Sequence, residues 1–267
     1  MSFIAMKKGF ALPLACVLVS AFAAPSLAQT ATAPPPQAKP ADAPLPPAQT
    51  IIDRHIEAVG GRDAIKRHNS LNIKGTMSIP ANGMTGTLEL SAARPNKLVV
   101  KTTIAGIGDI AEGFDGTVAW STNPMQGPML VTGEELEQKA FDANFDGALN
   151  IATRYQAMKT LEKTTFEGRP VYKLALTRKG GGDDIEFYDA ETGLKSGGII
   201  ERKNPMGTIS VTSVFSTYKK FDDVMVPTVM TQTTSGVQII TTFVSVEFDT
   251  VDAAVFELPA QIKALVK

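Results

Sequence analysis

The chain has 267 residues, 26 basic and 27 acidic side chains, a formal net charge of -1 and a hydrophobic fraction of 43%. That near-neutral balance carries no electrostatic footprint for nucleic acid or an anionic membrane surface. A single cysteine excludes a disulfide framework, and two histidines leave little material for a metal centre.

The chain opens MSFIAMKKGFALPLACVLVSAFAAPSLAQT. Lys7 and Lys8 form a positive start, an uncharged apolar run spans 10–24, and Ser26-Leu27-Ala28 puts small residues at the cleavage positions. Residues 1–28 are therefore read as a secretory signal peptide directing the protein to the periplasm, the alternative being retention as an anchor. The run is short of the roughly 20 apolar residues a comfortable span needs. Cys16 lies inside it, with Val17, Leu18 and Val19 continuing the run, which argues against lipidation there. Cleavage removes that cysteine together with two lysines and no acids, so the charge becomes -1 - 2 = -3.

From 29 to 49 the chain reads QTATAPPPQAKPADAPLPPAQ, seven prolines without an aromatic residue, the composition of an extended tether. Residues 50–267 then form one domain with enough chain for a sizeable core. Thr50 and Asp53 resemble a capping box, and Ile52, His55, Ile56 and Val59 recur at helical spacing. Gly60-Gly61 ends that helix, because glycine enters the left-handed conformation cheaply. A second short helical turn is predicted over 62–67. The pair is not a phosphate loop, which needs a strand before it and further glycines at set spacing.

After Ser70 the period becomes two. Leu71, Ile73, Gly75, Met77 and Ile79 share a face, as do Gly86, Leu88, Leu90 and Ala92, then Leu98, Val100 and Ile104. Such alternation marks antiparallel strands with one buried and one wet face. Turn signals at Asn82-Gly83, Asp115-Gly116, Glu167-Gly168 and 180–182 separate the strands, and more strands are predicted at 171–178, 184–189, 195–203, 208–219, 224–232 and 236–248. Thr132-Gly133-Glu134-Glu135 offers a capping box for a helical insertion over 132–158, with Leu136, Phe141, Phe145, Leu149 and Ile151 as its apolar residues. The expected fold is α+β and mainly β: a curved antiparallel sheet of about 11 strands, an unclosed half-barrel covered by short helices.

Motifs for chemistry are sparse. His55 and His68 stand apart across the glycine break without HExxH spacing, so no metal is expected. No G-x-S-x-G elbow is present, and Asp183-Asp184 and Asp222-Asp223 sit beside turns, where acids are usual. Two carboxylates meeting across strands stay open as a hydrolase reading, which requires polar groups converging in a cavity. No enzyme activity and no cofactor are expected. Met125 and Met129 bracket a Pro- and Gly-bearing loop near Trp120, and methionine suits surfaces that accept varied apolar partners, although core filling is the plainer role.

One ordered set of elements is recognisable. LELSAARPNKLVVKTTIAGIGDIAEGFDGTVAWSTNP carries Arg94-Pro95 at a strand end, Asp115-Gly116, a strand with Trp120 and then Asn123-Pro124, while VDAAVFELPAQI closes the chain. This set resembles the outer-membrane lipoprotein carrier superfamily, the LolA/LolB-like proteins. The double glycine and the 132–158 insertion depart from the best-known carrier pattern and look more like broader lipoprotein-sorting-like members. The resemblance implies an apolar cavity that takes acyl chains, with Arg94 at its entrance bonding the lid backbone in the closed form. The ligand-contacting residues expected are Arg94, Leu88, Leu90, Trp120, Met125, Met129, Phe141 and Phe145. The partners expected are a lipid or acylated lipoprotein, with envelope proteins as further candidates, no nucleic acid, and a monomeric state. The rival reading is a tethered envelope adaptor acting through protein contacts.

Overall fold

The computed structural model describes residues 44–204 and 207–266; the leader expected at 1–28 and residues 29–43 of the expected tether lie outside the described residues. The first helix, α1 (Ala48–Ala58), starts two residues before the expected cap. Pro47 holds the N-cap position, and Thr50 lies inside the helix with its N–H on the Pro47 carbonyl at 3.0 Å. Asp53 does not close a capping box; it accepts from Gln49 Nε2 at 3.0 Å and from Arg62 at 2.9 Å. Proline's fixed φ suits a helix entry, so the tether's last proline sets the helix start. Gly60 (φ 124°) and Gly61 (φ 88°) then separate α1 from α2 (Arg62–Arg67).

Thirteen strands follow: β1 (Ser70–Ile79), β2 (Met84–Ala93), β3 (Lys97–Ile104), β4 (Gly108–Phe114), β5 (Ala119–Asn123), β6 (Gly127–Val131), β7 (Tyr155–Phe166), β8 (Arg169–Arg178), β9 (Asp183–Asp189), β10 (Lys195–Asn204), β11 (Gly207–Phe221), β12 (Val224–Thr234) and β13 (Val237–Phe248). Between β6 and β7 lie α3 (Gly133–Asp142) and α4 (Ile151–Arg154), and α5 (Ala260–Lys263) ends the fold. All thirteen belong to one antiparallel sheet, in the order β6-β5-β4-β3-β2-β1-β13-β12-β11-β10-β9-β8-β7, that does not close into a barrel. The first and last strands pair, so each half of the chain is a meander running outward from that seam. The free edges are β6 and β7, joined in sequence by α3 and α4.

The count of about 11 strands is corrected to 13, and the reasons are local. In β4 the alternation is broken by Glu112, whose carboxylate takes Lys139 of α3 at 2.6 Å. β6 contains Pro128, tolerated because β6 is an edge strand, and Met129 stands on that strand. β7 carries two register shifts, Tyr155/Ala157 and Thr160/Glu162, and bulges erase a period of two. The helical insertion ends at Arg154 rather than Met158. Thr132 does sit at the N-cap of α3, without a side-chain cap bond.

Both faces of the sheet are partly covered. On one, Ala48, Ile51, Ile52 and Ile56 of α1 pack with Leu149, Ile151, Tyr155, Leu174, Leu176 and Tyr188. Each isoleucine buried there contributes roughly 1.5–3 kcal/mol. Register carries that face across to β3–β6, where Leu98, Phe114, Ala119 and Val131 pack with Leu136, Ala140 and Ala143 of the α3 region. The opposite face is covered by the C-terminal segment: Phe256 and Ile262 pack on Val99 and Trp120.

Candidate ligand-binding face and its latch

Arg94 leaves the end of β2 with its N–H on the Asn69 carbonyl at 2.9 Å. Its guanidinium gathers three segments. Nε donates to the His68 carbonyl at 2.8 Å, one terminal nitrogen to the Ile65 carbonyl at 3.2 Å, and the other to the Asp146 carboxylate. Ile65 and His68 lie at the C-terminal end of α2, where carbonyls lack the regular i+4 partner; the Ile65 carbonyl also takes the His68 N–H at 3.4 Å. The guanidinium carbon also sits 5.0 Å from the Phe145 ring centroid, and the Phe145 N–H bonds the Pro95 carbonyl at 3.1 Å. A rigid fork of five donors suits this three-way fastening of the sheet rim, α2 and the α3–α4 connection.

The other predicted contact residues are spread out. Leu88 and Leu90 are half-buried on the helix-covered face, with Leu90 opposite Ile73 and Val100. Met129 shares that face, opposite Ser121, and is 38% exposed. Phe141, in the last turn of α3, packs against the α1 cluster and meets Tyr155 edge-on at 5.7 Å. Met125 stands at the β5–β6 turn, 90% exposed, away from any lining position. Trp120 corrects the expectation most clearly. It pairs with Leu130, one position out of phase with Met129, so it lies on the opposite face, buried beneath the C-terminal segment.

The helix-covered face also carries a polar belt that the sequence reading did not find. Asp184, Glu186 and Tyr188 alternate along β9. Asp184 accepts from Tyr155 at 2.8 Å and from Arg178 twice, at 3.0 and 2.5 Å. Glu186 accepts from Lys195 at 2.5 Å and from the Tyr188 hydroxyl. Burial pushes the Glu186 carboxyl up, but the Lys195 charge and the two hydrogen bonds outweigh it, leaving it below the usual carboxylate range. Burial and the Glu186 charge drive the Tyr188 phenol well up. His55 of α1 meets Tyr188 edge-on at 5.3 Å and faces the Gly193 carbonyl at 3.2 Å; burial and the Lys195 charge lower it to about 4. The signal was present in DDIEFYD, where three hydrogen-bonding side chains recur at i, i+2 and i+4. Turn acidity was the wrong frame for Asp184, which is buried.

A cavity of about 580 Å3 opens between α3, α4 and the β8–β9 hairpin, lined among others by Phe141, Arg154, Arg178, Glu137 and the 180–182 glycines. Among the described residues, no group of three or more His, Asp or Glu side chains is placed to hold a metal, and no helix is long and apolar enough to cross a membrane.

No family model and no curated protein matches the chain. Solved structures do. A DUF1329 family protein from Desulfovibrio piger is 14% identical, with a TM-score of 0.55 over 79% of this chain and 97% of that one. The LolA superfamily protein NE2245 from Nitrosomonas europaea is 15% identical, with a TM-score of 0.53 over 80% and 99%. The chain has the LolA-like fold.

Proposed function

We propose that this protein is an exported carrier or binder of an acylated or otherwise lipidic ligand, acting in the periplasm without covalent chemistry or a cofactor. The ligand's chain seats on the helix-covered face, against Leu88 and Leu90, when the helices over that face part. The observation that carries this reading is the Arg94 hub: one guanidinium holds two carbonyls at the end of α2 and the Asp146 carboxylate beyond α3. Charge-assisted bonds to loop carbonyls are strong enough to hold a lid and few enough to be exchanged on ligand entry. Sequestering a chain gains roughly 0.8 kcal/mol per buried CH2, so a ten-carbon segment offsets several kcal/mol of opening and ordering cost. Lipid extraction and mass spectrometry of the purified protein test the reading directly. Co-eluting lipid, or saturable uptake of a fluorescent fatty acid, supports it; a lipid-free protein indifferent to the probe refutes it.

An adaptor role through protein contacts is the second reading. It draws on Met125, 90% exposed, and Ile107, 40% exposed, on turns brought together by the approach of Pro124 to Gly108. Retention of an envelope protein on immobilised wild type but not on Met125→Ser would favour it.

A further inference from the structure

The cavity beside α3 differs in chemistry from the face under the helices. Its floor is Phe141, the aromatic residue that continues into the apolar α1 cluster. Arg154 lies over that ring, its guanidinium carbon 3.8 Å from the centroid, and donates to the Phe141 carbonyl at 3.2 Å. Its Nε is buried without a hydrogen-bond partner, and no carboxylate among the described residues pairs with it. Arg178, by contrast, is neutralised by Asp184. A half-buried cation without a counter-ion is costly unless something anionic arrives. The rest of the described lining argues against a simple anion, because Glu134, Glu137, Asp183 and Glu201 outnumber Lys179 in the same cavity. The 180–182 glycines leave open space where side chains would stand.

From this juxtaposition of an unpaired arginine, facing carboxylates and an aromatic floor leading into the core, we infer that the cavity receives a zwitterionic headgroup. Its phosphodiester lies on Arg154 and its ammonium towards Glu137 and Glu201. This rests on the carrier reading and names the class of amphiphile carried.

Calorimetric titration of the full exported chain with short-chain probes tests it. Dihexanoyl phosphatidylethanolamine is expected to bind about tenfold more tightly than dihexanoyl phosphatidylglycerol, which lacks the ammonium. Arg154→Met should erase about tenfold of that affinity. Glu137→Gln, at an exposed position that packing does not need, should narrow the preference between headgroups even if Arg154→Met folds poorly. Equal affinity for both headgroups, or an unchanged preference in Glu137→Gln, overturns the inference. Fatty-acid uptake without headgroup discrimination leaves the carrier standing and removes this site. Binding of glycerophosphoethanolamine without fatty-acid uptake leaves the site standing and removes the carrier.

Discussion

Arg94 and Asp146, 52 positions apart, form an ion pair that fastens the β2–β3 turn to the connection between α3 and α4, with both side chains about three-quarters buried. The same guanidinium serves Ile65 and His68, so α2 and the α3–α4 connection are held by one side chain. Arg94→Leu strands a partly buried carboxylate and the His68 carbonyl, and leaves the Ile65 carbonyl with only the His68 N–H at 3.4 Å. The expected cost is about 2–3 kcal/mol in urea denaturation. Hydrogen exchange should rise together at 62–68 and 143–150 while the β8–β9 core stays protected. Under the proposed function the variant also releases bound lipid faster; unchanged exchange at both segments would remove Arg94 as a latch.

Gly60 is less free than a hinge between two helices would be. A Cβ there would come within 2.2 Å of the Asp223 carbonyl, while the Val59 carbonyl takes the Met225 N–H at 2.8 Å, so the joint is clamped to the β11–β12 turn. Gly61 has a similar φ but only a carboxylate oxygen, 3.5 Å away, to meet an added Cβ. Gly61→Ala should therefore cost about 1 kcal/mol from its backbone alone. Gly60→Ala adds a backbone collision and should cost at least twice as much, with α1 separating first from the turn. Similar melting temperatures for the two variants would contradict this.

His55 makes stability depend on acid. Its folded value of about 4 lies below the unfolded 6.5, so between those limits the unfolded chain binds the extra proton. Stability from this group is complete above about pH 6.5 and is lost as the pH falls towards 4. The loss is bounded at about 3 kcal/mol by the conversion of 1.36 kcal/mol per unit. Burial and Lys195 oppose the imidazolium while the Gly193 carbonyl and Glu186 favour it, and the value of about 4 is their net. Urea midpoints from pH 7 to 4 should fall more steeply in the wild type than in His55→Phe; parallel curves would place the acid sensitivity elsewhere.

Much of the architecture was legible because it rests on local rules. The alternation at 71–79, 86–92 and 97–104, the glycine pair and the turns at Asn82-Gly83 and Glu167-Gly168 each specify geometry within a few residues. What escaped depends on distant partners. β7 hides behind two bulges, β4 behind the Glu112–Lys139 pair, and β6 behind an edge proline. The β1–β13 seam joins residues more than 160 positions apart, such as Leu71 and Phe248. Within the candidate site Arg94 stood out through its motif, whereas Asp146 did not, since nothing near it in sequence announces an arginine. Alternation alone puts Ser91 on the wet face, yet Ser91 and its cross-strand partner Val99 are both 3% exposed, and the C-terminal segment returns to cover Val99.

That returning segment separates stability from binding. Trp120 is 3% exposed, Gly113 leaves room for its ring, where an added Cβ would sit 2.8 Å away, and Phe256 and Ile262 close over it. Truncating so large a buried ring removes its transfer free energy and leaves a cavity, a cost of about 3–5 kcal/mol. Trp120→Ala should thus lower the urea midpoint sharply and loosen 252–263 in limited proteolysis. Trp120→Phe keeps most of the packing and should cost less than half as much. Because Trp120 faces away from Leu88, Leu90 and Arg94, uptake of a fluorescent fatty acid by Trp120→Phe should match the wild type within about twofold. A selective loss of uptake at unchanged stability would put Trp120 back among the ligand contacts and place the binding face on the other side of the sheet.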